Sequence, residues 1–156
     1  MALFKRRKKE EKKPQILKLE NIRIGQHAKT SDEAICSIGQ LLVDAGYVEA
    51  PYIQGMLNRD HNLSVYIGND IAIPHGEYEV KDYVKKTGLA VDIYPEGITW
   101  GEGNTVRIVI GIAATTDEHV AILQNIAEKL GDMDMVEKVV NGTPEFILSV
   151  LAGDVQ

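Results

Sequence analysis

The stretch from Thr105 to Ala113 constrains the fold most. Val106, Ile108, Val109, Ile110 and Ile112 make it almost continuous in β-branched apolar side chains. Successive residues of a strand point to opposite faces. A strand without a polar face has to be covered on both sides, as a central strand is in a sheet flanked by helices. Gly88 to Tyr94 reads as a second strand, and Gly101-Glu102-Gly103 as a hairpin turn between the two. Two shorter pieces precede them. Leu63 to Ile67 alternates, Ile71-Ala72-Ile73 is stopped by Pro74, and Gly68-Asn69-Asp70 between them is turn chemistry.

Helical patterns lie on either side of these strands. Thr30 to Gly46 is amphipathic: Thr30 and Glu33 have capping-box spacing, Ala34, Ile35, Ile38, Leu41, Leu42 and Ala45 recur at helical intervals, and Gly46 suits a stop. A second helix is predicted from Pro51 to about Asn58, with Tyr52, Ile53, Met56 and Leu57 as its apolar positions. Thr115 and Glu118 repeat the capping-box spacing and open a helix to about Leu130, with Val120, Ile122, Leu123 and Ile126 facing inward. Met133 to Val140 and Thr143-Pro144 to Leu151 complete the set. The expected architecture is α/β, a single-domain sandwich of a mixed β-sheet flanked by α-helices.

Charge is unevenly spread. Residues 1–13 carry seven Lys/Arg and two Glu, which leaves a net of −11 on the remainder of a chain of net charge −6. A body so acidic repels phosphate backbones, so nucleic acid is excluded as a partner. Residues 1–15 are expected to form a solvated, disordered basic tail, with residues 16–156 as the folded domain. A weak tether to an anionic membrane surface is the second reading of the tail. Cys36 is the lone cysteine, so there is no internal disulfide and no cysteine-based metal cluster. Its place on the first helix reads as near-core packing. No apolar run reaches the roughly 18 residues that a membrane span needs. A cytoplasmic location is expected.

Of the four histidines, His27 and His61 sit in polar, loop-like surroundings and read as solvent-exposed. His75 lies between Pro74 and Gly76 just past a strand. Proline fixes the backbone there and glycine permits close approach, so an imidazole is presented stiffly at a sheet end. That suits a nucleophile or a general acid or base, although an ordinary loop histidine shares the string. His119 falls in the first turn of its helix, where the positive dipole end favours an anion and disfavours a cationic imidazole; a surface histidine is the plainer reading. Arg59 ends the second helix and carries a donor fork suited to phosphate, unless it pairs with Asp60 or the helix C-terminus. His75, Glu77 and Glu79 offer an alternative metal-ligand set, but no compact ligand motif supports it. There is no glycine-rich nucleotide loop. Trp100 reads as packing or rim surface.

The run Asn69-Asp70-Ile71-Ala72-Ile73-Pro74-His75-Gly76 resembles the active-site signature of the enzyme IIA proteins of the phosphoenolpyruvate-dependent sugar phosphotransferase system, fructose–mannitol class. Gly46-Tyr47-Val48, Met56-Leu57-Asn58-Arg59, Lys86-Thr87-Gly88, Tyr94-Pro95-Glu96-Gly97-Ile98, Val109 to Ala114, Glu118-His119 and Ile122-Leu123 extend the resemblance from about Asn21 to Leu151. The segment at Tyr94 points to the mannitol branch. The resemblance implies that His75 is phosphorylated, that Arg59 contacts the phosphoryl group, and that His119 supports it by hydrogen bonding. It implies a mixed sheet flanked by helices, the phosphocarrier HPr as donor and a cysteine of enzyme IIB as acceptor. No cofactor or metal is called for. A regulatory protein of the same fold, like the nitrogen-related IIA branch, is the alternative function. A metal-dependent hydrolase built on His75, Glu77 and Glu79 is a third.

Overall fold

The computed structural model describes residues 16–114 and 116–152. The basic tail and the capping position Thr115 lie outside the described residues.

The sheet has five strands: β1 (Ile22–Arg23), β2 (Tyr66–Gly68), β3 (Ile71–Ala72), β4 (Gly88–Trp100) and β5 (Asn104–Ala113), in the spatial order β1-β4-β5-β3-β2. It is mixed. β4 and β5 form a long antiparallel hairpin, β1 joins β4 and β3 joins β5 in parallel, and β2 closes the far edge antiparallel to β3. The helices are α1 (Ser31–Asp44), α2 (Tyr52–Asn62), α3 (Thr116–Lys129), α4 (Met133–Val140) and α5 (Pro144–Ala152). The expected α/β sandwich is the architecture found.

β5 is an interior strand, and the seven residues Gly88 to Tyr94 of β4 are all buried in sequence. Consecutive burial means that both sheet faces are covered, as the apolar run predicted. α1 presses onto β4 and β5 through Ile38 and Leu42; a methyl group built on Gly111 would come within 2.7 Å of Ile38, so the small residue sets how closely helix and sheet approach. α1 is capped as predicted, with the Glu33 amide donating to Thr30 Oγ1 at 3.1 Å. Arg23 ties the β1 edge to β4 by a two-pronged bond to the buried Asp92, both contacts at 2.7 Å. The turn between β2 and β3 puts Asn69 and Asp70 in the left-handed region, at φ 53° and 64°. Asn69 donates to the Leu130 carbonyl just beyond α3, and Arg107 bonds Asp70, so the turn is pinned from two sides.

Several details depart from the sequence reading. α2 continues to Asn62, so Arg59 lies in its last turn rather than at its end. β2 starts only at Tyr66, because Leu63 is exposed and the Val65 amide bonds the Asp60 carboxylate instead of a strand. β4 runs through Pro95 to Trp100 with a register shift between Ile93 and Ile98, where Gly97 takes φ 82°. Cys36 is exposed rather than near-core: it falls beside the buried stripe of Ala34, Ile35 and Ile38, not within it. Val120 faces outward, while Ile122 and Ile126 carry the buried side of α3. Trp100 is packing, buried with its indole N–H donating to Asp60 at 2.9 Å.

Candidate functional site

Three elements converge where the sheet ends. The segment leaving β3 carries His75 into one further parallel bridge with Ile112 of β5, and the Ile112 amide donates to the Pro74 carbonyl at 2.9 Å. α3 begins at Thr116, just past the end of β5, and brings His119 in its first turn. α2 supplies Arg59. The two imidazoles meet edge to face, ring centres 4.6 Å apart and planes at 88°.

His75 is only 7% exposed. Its Nδ1 lies 2.6 Å from the Ile73 carbonyl oxygen. A carbonyl oxygen only accepts, so Nδ1 holds the ring proton and Nε2 holds the lone pair. Burial, with smaller contributions from His119 and Arg59, pushes the His75 pKa down to about 4, against the opposing pull of the Ile73 carbonyl. The ring is therefore neutral, with one nitrogen free to attack, at any pH near 7. His119 is also held below its ordinary value, first by burial and then by the Arg59 charge. Sequence reasoning anticipated a neutral His119 from the helix end; burial is the larger cause. His119 Nε2 is buried and has no hydrogen-bond partner among the described residues. A buried polar nitrogen without a partner is costly, which fits a group that waits for a ligand oxygen.

Arg59 donates through Nη1 to the Leu63 carbonyl at the end of α2. Asp60 is turned away from it, taken by Val65 and Trp100. Arg59 thus spends one arm on the helix terminus, while its charge reaches both imidazoles. His75, His119 and Arg59 thus stand as one cluster, two imidazoles held neutral within reach of the Arg59 charge.

His27 and His61 lie on the surface, paired loosely with Glu96 and closely with Asp32. Glu77 does not turn toward a shared ligand point with His75 and Glu79: it accepts from Asn58 Nδ2 at 2.8 Å, and Glu79 is exposed. The three-residue set that does gather among the described residues is Asp32, Asp60 and His61, which includes none of His75, His119 and Arg59.

The sequence reading missed two parts of the site. The Ile73 carbonyl fixes the tautomer, and a backbone atom leaves no mark in sequence. Tyr52 was assigned to the apolar face of α2. It is buried there, but its hydroxyl also donates to the Ile112 carbonyl at 2.8 Å and accepts from the Gly76 amide at 2.9 Å. That amide is therefore engaged and does not stand among free N–H donors for an anion.

Compared with protein families, residues 15–153 match the phosphoenolpyruvate-dependent sugar phosphotransferase system, EIIA 2. The chain belongs to that family. Among curated IIA relatives, the mannitol-specific phosphotransferase enzyme IIA component of Bacillus subtilis is 40% identical over 141 residues, spanning 90% of this chain and 99% of that one. The multiphosphoryl transfer protein of Salmonella typhimurium is also 40% identical over 141 residues, but this chain spans only 38% of its length. Among solved IIA structures, the mannitol IIA of Escherichia coli superposes with a TM-score of 0.82 at 40% identity, covering 86% of this chain and 98% of that one. The IIA in a complex with phosphorylated mannitol IIB from the same organism gives a TM-score of 0.83 at 41% identity, covering 88% and 99%. The nitrogen regulatory IIA of Neisseria meningitidis, 22% identical with a TM-score of 0.75, shares the fold.

Proposed function

We propose that the domain from residue 16 onward is a phosphotransferase that takes a phosphoryl group from phospho-HPr onto Nε2 of His75 and passes it to a cysteine of a cognate enzyme IIB, during uptake of mannitol or a related sugar. The observation that carries this reading is the Nδ1 contact to Ile73, which leaves Nε2 as the lone-pair nitrogen of a ring packed against His119 and within reach of the Arg59 charge.

The steps follow from that geometry. The Nε2 lone pair attacks the donor's phosphorus, an N–P bond forms, and the donor's own N–P bond breaks with its electron pair returning to the donor imidazole. Nδ1 keeps its proton on the Ile73 carbonyl, so no proton has to leave His75. Arg59 and a neutral His119, donating N–H, offset charge on the equatorial oxygens. In the second step a IIB thiolate attacks the same phosphorus, and the pair of the breaking N–P bond returns to Nε2. The donors are charged or polar groups of the chain itself, and the reading needs no metal.

The mannitol-specific relatives and the IIA–IIB complex support transport over a regulatory role, for which the likeness is one of fold. No described helix is long and apolar enough to cross a membrane; the chain works, on this reading, in the cytoplasm with a permease that supplies the sugar site. Incubation with radiolabelled phosphoenolpyruvate, enzyme I and HPr tests the proposal. Wild type takes up one acid-labile label that a IIB domain then removes, and His75→Ala takes up none. Normal labelling of His75→Ala overturns it.

A further inference from the structure

A parallel bridge between His75 and Ile112 has a regular hydrogen-bond pattern. The residue before the histidine accepts from the Ile112 amide, and the residue after it donates to the Ile112 carbonyl. The first bond is present, Ile112 amide to Pro74 at 2.9 Å. The Tyr52 hydroxyl engages both groups of the second. It accepts from the Gly76 amide at 2.9 Å and donates to the Ile112 carbonyl at 2.8 Å. One side chain from α2 thus clamps the two backbone groups directly after His75, where the bridge is an isolated one.

The clamp is built to stay. Tyr52 is 2% exposed, and burial raises its pKa to about 12, so the hydroxyl keeps the proton it donates. A methyl group on Gly76 would lie 2.5 Å from the Tyr52 ring, so ring and glycine are in direct register. Tyr52 and Arg59 are seven residues apart on α2, and that spacing puts both on one stripe of the helix. One helix therefore sets the turn after the nucleophile and delivers the cationic donor.

We propose that Tyr52 is a positioning residue for phosphoryl transfer: its hydroxyl, bonded to both Gly76 and Ile112, holds the turn after His75 so that Nδ1 stays on the Ile73 carbonyl and the ring keeps its place against His119. Without it, the Gly76 amide and the Ile112 carbonyl lose that shared partner, and the ring is freer to turn. The inference rests on His75 being the phosphoryl acceptor, but one of its readouts does not.

The test is Tyr52→Phe, which keeps the ring against Gly76 and removes the oxygen alone. Nitrogen NMR of His75 in the unphosphorylated protein reports the tautomer. Wild type shows a single form protonated at Nδ1, and the variant shows a mixture. Single-turnover transfer from phospho-HPr slows at least tenfold, while affinity for unphosphorylated HPr stays within twofold. Tyr47→Phe removes another buried hydroxyl, one contacting Asn21 at 3.4 Å, and leaves both readouts as in wild type. Wild-type nitrogen shifts and transfer rate in Tyr52→Phe overturn the proposal. If that variant does not fold, hydrogen exchange in the wild-type chain decides: the Gly76 amide is protected, and exchange at the rate of an open loop overturns it. Labelling of His75→Ala would instead sink the acceptor assignment, while the nitrogen shifts would still judge Tyr52.

Discussion

At the scale of single residues, the proposed role depends on withholding solvent from one imidazole, His75. A surface histidine is partly protonated near pH 6.5, and a protonated ring has no lone pair to offer. His75 is buried next to two groups that disfavour its charge, and its pKa falls to about 4. This has a consequence for stability. The unfolded chain binds a proton on this residue as pH falls below about 6.5, while the folded chain refuses it until about pH 4. Stability is therefore unaffected by this group above pH 6.5, falls between there and pH 4, and levels off below. The expected loss across that window is about 3 kcal/mol. Urea unfolding at a series of pH values measures it, and His75→Gln flattens that part of the slope. An equal slope in both proteins contradicts the burial of a neutral ring. If His75 is the phosphoryl acceptor proposed above, the same displacement is expected to keep the phosphorylation rate level from pH 8 to about 5, as far as this ring is concerned. The Pro74-His75-Gly76 string showed where such a residue stands, because it signals a stiff exit from a strand. It did not show the tautomer, which depends on a carbonyl two residues earlier, nor the Tyr52 hydroxyl, which reaches the site from another helix.

At the scale of elements, the periodicities that come from covering a face were legible and those that come from neighbours were not. β5 reads as central from its own side chains, since no strand with Val106, Ile108, Val109, Ile110 and Ile112 tolerates an open face. α1 shows both its cap and its stripe. Val120 differs from its expected place: an apolar residue beside two others on a helical wheel looks inward, yet it is 63% exposed, while Ile122 and Ile126 carry the buried side. The limits of β2 depend on Asp60 taking the Val65 amide, a tertiary bond with no local trace. The Arg23–Asp92 pair is another such bond, joining a two-residue edge strand to β4. Asp92 has no exposed side-chain surface, and burial pushes its pKa up while Arg23 pulls it down. Arg23→Ala leaves a carboxylate buried with no counter-charge, and this expectation is a loss of about 3 kcal/mol. Thermal and urea unfolding at pH 7 check it. Part of the loss returns as pH is lowered and Asp92 takes up a proton; a variant as stable as wild type would mean that β1 holds by strand pairing alone.

At the scale of the whole molecule, the proposed carrier role requires that a partner find the His75 cluster and leave it again quickly. Three exposed apolar side chains lie within four residues of the site residues along the chain: Leu63 after Arg59 at 68%, Tyr78 after His75 at 68% and Val120 beside His119 at 63%. Apolar contacts of this kind hold a partner, but they do not guide it from a distance. Guidance comes from charge. Two of the basic side chains of the body are already spent internally, Arg23 on Asp92 and Arg107 on Asp70 and Glu137. The field of the remaining surface is set by a net charge of −11 outside residues 1–13. Such a field attracts a basic partner face and speeds encounter more than it strengthens the final complex. Salt shortens its reach to about 8 Å near 0.15 M. The association rate with phospho-HPr is therefore expected to fall about tenfold between 0.05 and 0.5 M salt, with a much smaller change in dissociation rate. Stopped-flow measurements over that range separate the two. Val120→Asp is expected to do the opposite, raising the dissociation rate several-fold while the salt dependence of association persists. If salt instead acted only on dissociation, the acidic body would be a solubility feature, and the apolar rim would have to account for partner capture by itself.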